Sequence, residues 1–261
     1  MKDTAATDHI LTDLAEGILT LRFNRPEKKN AITLAMYTTL ADALQQADKD
    51  DSVRAVLITG TDGCFTSGND VADFLNNPPT GDSSPALRFL TAISRAEKPI
   101  IAAVNGAAVG IGVTMLLHCD LVYAGASAIF SMPFVNMGLC PEGGSSLLMP
   151  RMMGHQRASE LLLLGETFSA QAAHEAGIVN AVCHDGELPK TALSKARRLA
   201  AQPPAAVRVA KSLLKNDYAE TLVKTINAEG ACFIELLRSP EAIAAMRTFM
   251  ERSKPDFSIF S

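Results

Sequence analysis

The stretch that decides the fold spans residues 100–124 and reads IIAAVNGAAVGIGVTMLLHCDLVYA. It belongs to a run of 43 residues, 99–141, in which Asp120 is the one formal charge. The first 20 residues of the stretch, Ile100–Cys119, are uncharged and resemble a membrane-spanning helix in length and apolar character. Three of them are glycines within seven positions, however, and each glycine costs a helix about 1 kcal/mol. We therefore predict a buried strand at Ile100–Val104, then a glycine turn, then a short buried helix at Ile111–His118.

Strand and helix patterns alternate on both sides of this stretch as far as about residue 182, and the remainder is helical. This alternation predicts an α/β fold with a core at residues 1–200 and a helical C-terminal region at 201–261. The predicted strands are a pair within 10–23 that turns at Gly17, Val53–Thr59, Leu121–Ala124, Ala128–Phe130 and Ile178–Val182. One predicted helix starts at Thr33, and others cover Ala86–Ala96, 143–152, 155–164, 170–176 and most of 205–252. The helix at 170–176 is predicted to be capped by Ser169 at its N-terminus and by Gly177 at its C-terminus.

A loop is predicted from Cys64 to about Pro85. It contains NNPPTGDSSP (76–85), whose proline, glycine and serine content is typical of a mobile segment.

Composition excludes several classes of protein. The 261 residues are 48% hydrophobic with a net charge of −4, so a globular core is expected and a nucleic-acid partner is not. The five cysteines form no CxxC pair and no Cys/His cluster, which predicts free thiols and no metal site. The first ten residues, MKDTAATDHI, lack the apolar segment of a secretory signal. We therefore expect a cytoplasmic protein that does not insert into a membrane.

Two familiar catalytic motifs, GxxxxGK[ST] and GxSxG, do not occur in the sequence. Gly110-Ile111-Gly112 follows a predicted strand and begins like a dinucleotide-binding turn. However, Met115 occupies the place of the third glycine, and no acidic residue ends a following strand about 20 positions on. We therefore expect no cofactor.

Two glycine-containing turns follow predicted strands. The first is Phe65-Thr66-Ser67-Gly68-Asn69-Asp70, and the second is Val109-Gly110-Ile111-Gly112, which opens a helix. Glycine lets the main chain approach a ligand, and a helix N-terminus adds partial positive charge. Two converging N–H groups form an oxyanion hole, which stabilises an enolate or a tetrahedral oxyanion. From spacing alone, two ordinary tight turns are the alternative.

Glu142 ends the uncharged run, within Pro141-Glu142-Gly143-Gly144-Ser145-Ser146. If this carboxyl group is buried, desolvation raises its pKa and the dipole of the following helix lowers it. A general base or proton shuttle needs a pKa balanced in this way. The alternative is a solvated glutamate that stabilises the N-terminus of its helix.

Together these features resemble the crotonase (enoyl-CoA hydratase/isomerase) superfamily over nearly the whole chain. The resemblance is carried, in order and spacing, by NRPEKKNAIT (24–33), FTSGNDV (65–71), the stretch 100–124 and RASELLLLGETFSAQAAHEAGIVNAV (157–182). It implies a spiral of ββα turns, a helical C-terminal region that forms a homotrimer or a dimer of trimers, and a coenzyme A thioester as substrate. It also implies that main-chain N–H groups bind the thioester oxygen, by position those of Ser67 and Ile111.

Departures from the family pattern indicate a branch. Hydratases of the family use two glutamates, at the positions that Thr114 and Phe134 occupy here. The chain instead resembles the peroxisomal-type Δ3,Δ2-enoyl-CoA isomerases, in which one carboxylate, matched by Glu142, does the chemistry. The implied reaction shifts a double bond through a dienolate, with Glu142 moving the proton. It belongs to fatty acid metabolism of the β-oxidation type.

The resemblance also implies substrate contacts. Lys28 and Lys29 are placed near the adenine end of coenzyme A, and Arg252 is expected to contribute from a neighbouring subunit. The other implied contacts are Ser67, Gly68, Asn69, Asp70, Gly110 and Phe134.

Three alternatives to the isomerase stay open. One is a hydratase or acyl-CoA hydrolase of the same superfamily, and another is a dehalogenase whose carboxylate attacks the substrate. The third is a non-catalytic module that binds acyl-CoA, which would keep the Ser67-Gly68 turn but would not need Glu142.

Overall fold

The computed structural model describes residues 9–61, 63–77, 84–251 and 253–260, in which two sheets are surrounded by helices. The strands are β1 (Ile10–Ala15), β2 (Ile18–Phe23), β3 (Ala55–Thr59), β4 (Cys64–Thr66), β5 (Ile100–Val104), β6 (Ala107–Val109), β7 (Leu121–Gly125), β8 (Ile129–Ser131), β9 (Thr167–Ser169) and β10 (Ala181–Cys183). The helices are α1 (Leu34–Lys49), α2 (Val71–Asn76), α3 (Pro85–Arg95), α4 (Ile111–Thr114), α5 (Ser145–Met153), α6 (His155–Leu164), α7 (Ala170–Glu175), α8 (Leu188–Ala200), α9 (Pro204–Lys215), α10 (Ala219–Leu236) and α11 (Pro240–Met250). Short 3-10 helices lie at Pro26–Lys28, Met115–His118, Val135–Met137 and Asp185–Glu187.

The chain forms the two sheets by repeating one unit, which consists of two strands followed by a helix. The larger sheet has the order β1-β2-β3-β5-β7-β10 and is parallel except between β1 and β2. The smaller sheet has the order β4-β6-β8-β9 and is parallel except between β8 and β9. The successive pairs β3/β4, β5/β6 and β7/β8 each place one strand in each sheet and are followed by helix. The chain is therefore the α/β spiral of ββα turns that the resemblance implied.

The central strands β3 and β5 are buried on both faces, which explains why both read as unbroken apolar runs. On one face, Leu57 and Ile101 pack against α8. On the other face, Val56 and Ile58 join a larger core that includes α1 and α3. The stretch at 100–124, in which Asp120 is the one charged residue, is therefore the centre of the molecule, as predicted, and no part of it is a membrane helix.

The local predictions around this centre are largely confirmed. The strand at Ile100–Val104 is β5, and the helix predicted at Ile111–His118 is α4 followed by a 3-10 turn. Ser169 caps α7, since its side chain accepts from Ala172 N at 3.2 Å. These elements combine a strong local pattern with a capping residue, so the sequence alone identifies them.

Four local predictions are corrected by the structure. The predicted loop from Cys64 to Pro85 contains β4 and α2, and most of its NNPPTGDSSP part, residues 78–83, lies outside the described residues. The predicted glycine turn contains β6. The strand predicted at Ile178–Val182 is β10, because Ile178 and Val179 donate to Ala173 O in the turn after α7. That helix is capped by Ala176, and Gly177 follows with φ of 81°.

The C-terminal region consists of the three helices that follow α8. The predicted boundary at residue 200 coincides with the end of α8, and the helix predicted over 205–252 is divided into α9, α10 and α11. The helix α10 buries Leu222, Ile226 and Phe233 against the main core and packs beside α3. None of the helices in the described ranges has the length and apolar character that a bilayer requires.

Candidate active site

Glu142 lies in the loop between the 3-10 turn Val135–Met137 and α5, and its side chain is turned inward. The residue is only 8% exposed. Two left-handed glycines follow it, Gly143 with φ of 69° and Gly144 with φ of 76°, and the helix begins directly after them. Glu142 is therefore buried, and the alternative of a solvated glutamate that only stabilises the N-terminus of its helix is excluded.

The surroundings of Glu142 shift its pKa strongly. Burial raises the pKa to about 8 because the ionised carboxylate loses its water. A hydrogen bond from Thr114 Oγ1 to Glu142 Oε1 opposes this shift, and the charge of Glu229 adds to it. A carboxyl group with this pKa can both take up and release a proton near neutral pH.

The carboxyl group of Glu142 lines a pocket enclosed by α1, α2, α3 and α10. The polar side chains on its wall are those of Tyr37, Asn69 and Ser84. The rings of Phe74 and Phe233 meet edge to face with centroids 6.4 Å apart. The apolar wall consists of Phe74, Ala86, Leu87, Leu90, Ile226, Phe233 and Ile234. Such a pocket suits a hydrocarbon group more than a charged one.

The two glycine turns that the sequence singled out lie against each other. Each follows a strand of the smaller sheet, and β4 and β6 are parallel neighbours, so their carboxyl ends meet at one edge. A Cβ on Gly68 would lie 2.8 Å from the Val109 carbonyl oxygen. A Cβ on Gly112 would lie 2.6 Å from Thr66 Cγ2. Glycine at both positions therefore permits the close contact between the turns.

The main-chain N–H groups of these turns differ in whether an acceptor is present. Ser67 N donates to the Lys29 carbonyl at 3.0 Å, so its hydrogen is already used within the protein. Within the described part of the chain, no acceptor lies at the N–H of Asn69 or of Ile111. The Ser67 N–H is therefore not available to a substrate in this geometry, whereas the N–H of Ile111 is available.

The reason lies in how the first turn pairs with its neighbour. Ile32 and Asn69 form a parallel bridge, in which Ile32 N donates to Gly68 O at 2.8 Å and Asp70 N donates to Ile32 O at 2.9 Å. Main-chain groups alternate in direction along an extended segment. The bridge therefore turns the N–H of Asn69 away from Ile32, and Asn69 replaces Ser67 as the available donor of this turn.

Side-chain contacts hold the first turn in place. The hydroxyl of Tyr37 donates to Asn69 Oδ1 at the pocket wall. Arg25 Nη1 lies 2.6 Å from Asp70 Oδ2, and the other carboxylate oxygen accepts from Asp73 N at the start of α2. The carboxylate of Asp70 thus supports the turn through partners within the protein, and its predicted contact with substrate stays a prediction.

The remaining predicted contacts surround the turns. Lys28 and Lys29 are exposed, and their carbonyl groups accept from Ser67 Oγ at 3.4 Å and from Ser67 N. The ring of Phe134 is buried, and its Cε1 would lie 3.9 Å from a Cβ on Gly110. Arg252 lies outside the described residues. The two lysines are therefore the predicted cations that the structure brings to the turns.

Sequence reasoning missed three residues that stand near Glu142. Tyr37 lines the same pocket, His118 Nε2 contacts Gly143 O at 2.7 Å, and Glu229 holds the loop after Glu142. One of them left a signal, since Glu229 interrupts an apolar helical stripe. A charged residue on a buried stripe indicates a partner inside the protein.

The described residues contain no group of three or more His, Cys, Asp or Glu side chains that could hold a metal ion. The cysteines in those ranges are all free.

The chain is similar to known proteins over nearly its whole length. Residues 13–259 match the sequence profile of the family described as enoyl-CoA hydratase/isomerase. The chain is 35% identical to 1,2-epoxyphenylacetyl-CoA isomerase of Escherichia coli (strain K12), covering 96% of this chain and 98% of that protein. It is 40% identical to enoyl-CoA delta isomerase 2 of Homo sapiens, covering 82% of this chain and 56% of that protein. The solved structure of Pseudomonas aeruginosa OdaA has a TM-score of 0.92 and 51% identity, covering 94% of this chain and 100% of that one.

The chain therefore belongs to the enoyl-CoA hydratase/isomerase family, within the crotonase superfamily. Relatives at 30 to 40% identity carry the names of isomerases, dehalogenases and a hydratase. The family thus supports chemistry on coenzyme A thioesters as a class. The choice among reactions depends on the residues around Glu142.

Proposed function

We propose that the protein is a Δ3,Δ2-enoyl-CoA isomerase, which moves the double bond of an acyl-CoA thioester from carbon 3 to carbon 2. The observation that carries this proposal is the buried carboxyl group of Glu142, the one carboxyl group among the described residues that line the pocket. Its pKa of about 8 suits a group that must remove a proton and return it.

In the proposed reaction, the thioester oxygen accepts hydrogen bonds from the N–H groups of Asn69 and Ile111. Ionised Glu142 removes a proton from the alpha carbon, and the electron pair of that C–H bond enters a dienolate. Protonated Glu142 then donates the proton to the gamma carbon, and the dienolate becomes the conjugated 2-enoyl thioester. Substrate and product have the same composition, so neither water nor a cofactor is consumed.

The residues at the two expected hydratase positions favour isomerisation over hydration. The hydroxyl of Thr114 donates a hydrogen bond to Glu142, and the side chain of Phe134 has no acidic or basic group. The pocket wall described here offers no second carboxylate that could activate water. The names of the human relative and of the Escherichia coli relative, both isomerases acting on coenzyme A thioesters, support the same choice.

The proposal is tested by giving the purified protein a 3-enoyl-CoA and separating the products. We expect the 2-enoyl-CoA, detected by the absorbance of its conjugated thioester, with no release of thiol. A 2-enoyl-CoA is supplied in a second assay, because water adds only to the conjugated double bond; formation of a 3-hydroxyacyl-CoA there would identify a hydratase, and free coenzyme A in either assay would identify a hydrolase. Binding of both thioesters with turnover of neither would identify a non-catalytic acyl-CoA-binding module.

Lys28 and Lys29 are expected to attract the phosphates of coenzyme A. Each exposed contact is worth about 1 kcal/mol or less, so the double variant Lys28→Ala/Lys29→Ala should raise KM severalfold at low salt and leave kcat unchanged. Salt should raise the KM of the unmodified protein, because it screens the same attraction. Lys190→Ala, which removes an exposed cation from α8, is the matched control. An unchanged KM in the double variant would place the phosphates elsewhere.

The protein is expected to be a trimer or a dimer of trimers formed through its C-terminal helices. Apolar side chains on α9 and α11 are exposed in the single chain and need a cover, in contrast to those of α10. The exposed ones are Val209, Leu213, Leu214, Ile243, Phe249 and Met250. Light scattering should give about 83 or 166 kDa, three or six times the chain mass of 27.7 kDa. A stable and active monomer at micromolar concentration would contradict this prediction.

A further inference from the structure

Glu229 is a second buried carboxylate, 8% exposed, on the core-facing side of α10. Its Oε2 accepts from Gly144 N at 2.5 Å. Its Oε1 accepts from Ser146 N at 2.9 Å and from Ser146 Oγ at 2.5 Å. Both carboxylate oxygens therefore receive main-chain N–H donors, an arrangement that favours the ionised form.

The residues that Glu229 holds belong to the loop that carries Glu142. Gly144 and Ser146 lie two and four positions after Glu142, at the start of α5. Gly144 is left-handed, and a Cβ there would lie 2.4 Å from Leu222 Cδ1, so the loop is also pressed onto α10. The geometry of Glu142 is thus tied to a residue 87 positions further along the chain.

Other contacts fix the same loop without adding a charge. His118 Nε2 donates to Gly143 O at 2.7 Å. Burial lowers the pKa of His118 to about 4, so the ring is neutral near pH 7. Thr114 donates to the carboxylate of Glu142 itself. These two side chains orient Glu142, but neither carries a charge that acts on it.

The groups that face Glu142 come from each element packed around it. The hydroxyl of Tyr37 comes from α1, and burial together with Glu142 raises its pKa well above the usual value, so it stays protonated. The thiol of Cys140, in the same loop, has a pKa raised to about 11, chiefly by burial, and is neutral as well. The helix α3 contributes the apolar side chains of Leu87 and Leu90. Among the described residues, Glu229 is thus the charged group that acts on Glu142.

We propose that Glu229 is a positioning residue for the reaction, which fixes the Gly144–Ser146 segment and, as a second buried negative charge, strengthens Glu142 as a base. The proposal rests on the proposed function of Glu142. The two carboxylates have different roles because their partners differ. Burial raises the pKa of Glu229, but its three donors lower it and favour the ionised form, whereas Glu142 receives one donor and exchanges its proton. Repulsion between the two charges favours uptake of the substrate proton by Glu142.

The test separates the charge of Glu229 from its geometry. The kcat/KM of the unmodified protein should rise with pH to a plateau above about pH 8, because Glu142 must be ionised to act. In Glu229→Gln the repelling charge is gone, so this ascending limb should move to lower pH by about one unit. In Glu229→Asp the charge remains but the side chain is shorter, so kcat should fall about tenfold or more and the limb should not move. Glu235→Gln, an exposed change on the same helix, should alter neither.

A second measurement reads the titration of Glu142 without using activity. With 13C-labelled glutamate, the Glu142 carboxyl signal is assigned by its absence in Glu142→Gln and followed from pH 6 to pH 10. Its midpoint should be lower in Glu229→Gln than in the unmodified protein. An unchanged midpoint overturns the inference about Glu229 whatever the reaction proves to be, whereas full activity of Glu142→Gln overturns the proposed function instead.

Two further variants test the role of Glu229 if Glu229→Gln does not fold. Ser146→Ala removes one of the three donors to Glu229 and keeps the charge, and Glu229→Asp keeps the charge as well. Both should lower kcat while the ascending limb stays in place. Unchanged kcat in both folded variants would contradict the positioning role.

Discussion

Glu142→Gln is expected to lower the kcat for isomerisation by about 10³-fold, within the range of positioned general acid–base catalysis. Glutamine has nearly the same shape but cannot remove a proton from the alpha carbon. Binding of a CoA thioester should change by less than about threefold, because Glu142 contributes to the transition state rather than to affinity. The measurements are turnover of a 3-enoyl-CoA and calorimetric binding of an unreactive acyl-CoA.

The stability of the same variant distinguishes lost chemistry from lost fold. Because the pKa of Glu142 is raised to about 8 in the folded protein, its stabilising contribution is present at low pH. That contribution is lost as pH rises through the folded pKa. Glu142→Gln lacks this ionisation, so its melting temperature should fall less between pH 5 and pH 9 than that of the unmodified protein. Retention of more than about a tenth of the activity would contradict the role of Glu142.

The parts of the fold that the sequence predicts are those with a strong local pattern. The strands β3 and β5 are continuous apolar runs because both faces are buried, and α7 begins after a serine cap. The strands β4 and β6 have three residues each, too few for a periodic pattern. They form because they pair with each other across 43 positions of sequence (Cys64 with Ala107). Local reasoning therefore assigns their residues to a loop and a turn.

The same distinction applies to the candidate site, where some residues are evident from the local sequence and others depend on tertiary contacts. Glu142 stands out in the sequence because it ends a long uncharged run, and Ile111 because it follows a glycine at a helix start. The choice between Ser67 and Asn69 depends on the direction of an N–H, which is set by pairing with Ile32 at a distance in sequence. The charge that Glu229 contributes comes from another helix altogether. Residue types can be inferred locally, but the direction of donors and the field at a carboxylate are tertiary properties.

Ile111→Pro is expected to lower kcat by about 10²- to 10³-fold, the usual cost of removing one donor from an oxyanion hole. Ile111 is the first residue of α4, a position where proline is accommodated because its missing N–H has no partner within the helix. Gly110 precedes it and has no Cβ, which relieves the steric restriction that proline places on the residue before it. The substitution therefore replaces one of the two N–H groups that the proposed reaction uses with a Cδ methylene, and it breaks no hydrogen bond of the described structure.

Ile111→Val is the matched control, since it keeps the N–H and a branched side chain in the buried position, and its kcat should stay within about threefold. Circular dichroism and binding of an acyl-CoA check that the proline variant is folded. If a folded Ile111→Pro protein kept a third of the activity, the thioester oxygen would have to be held by other donors. If both variants lost activity equally, packing rather than the N–H would be the cause. A large loss in the proline variant alone places the effect at the main-chain nitrogen of Ile111, because proline replaces that N–H with a Cδ methylene whereas valine keeps it.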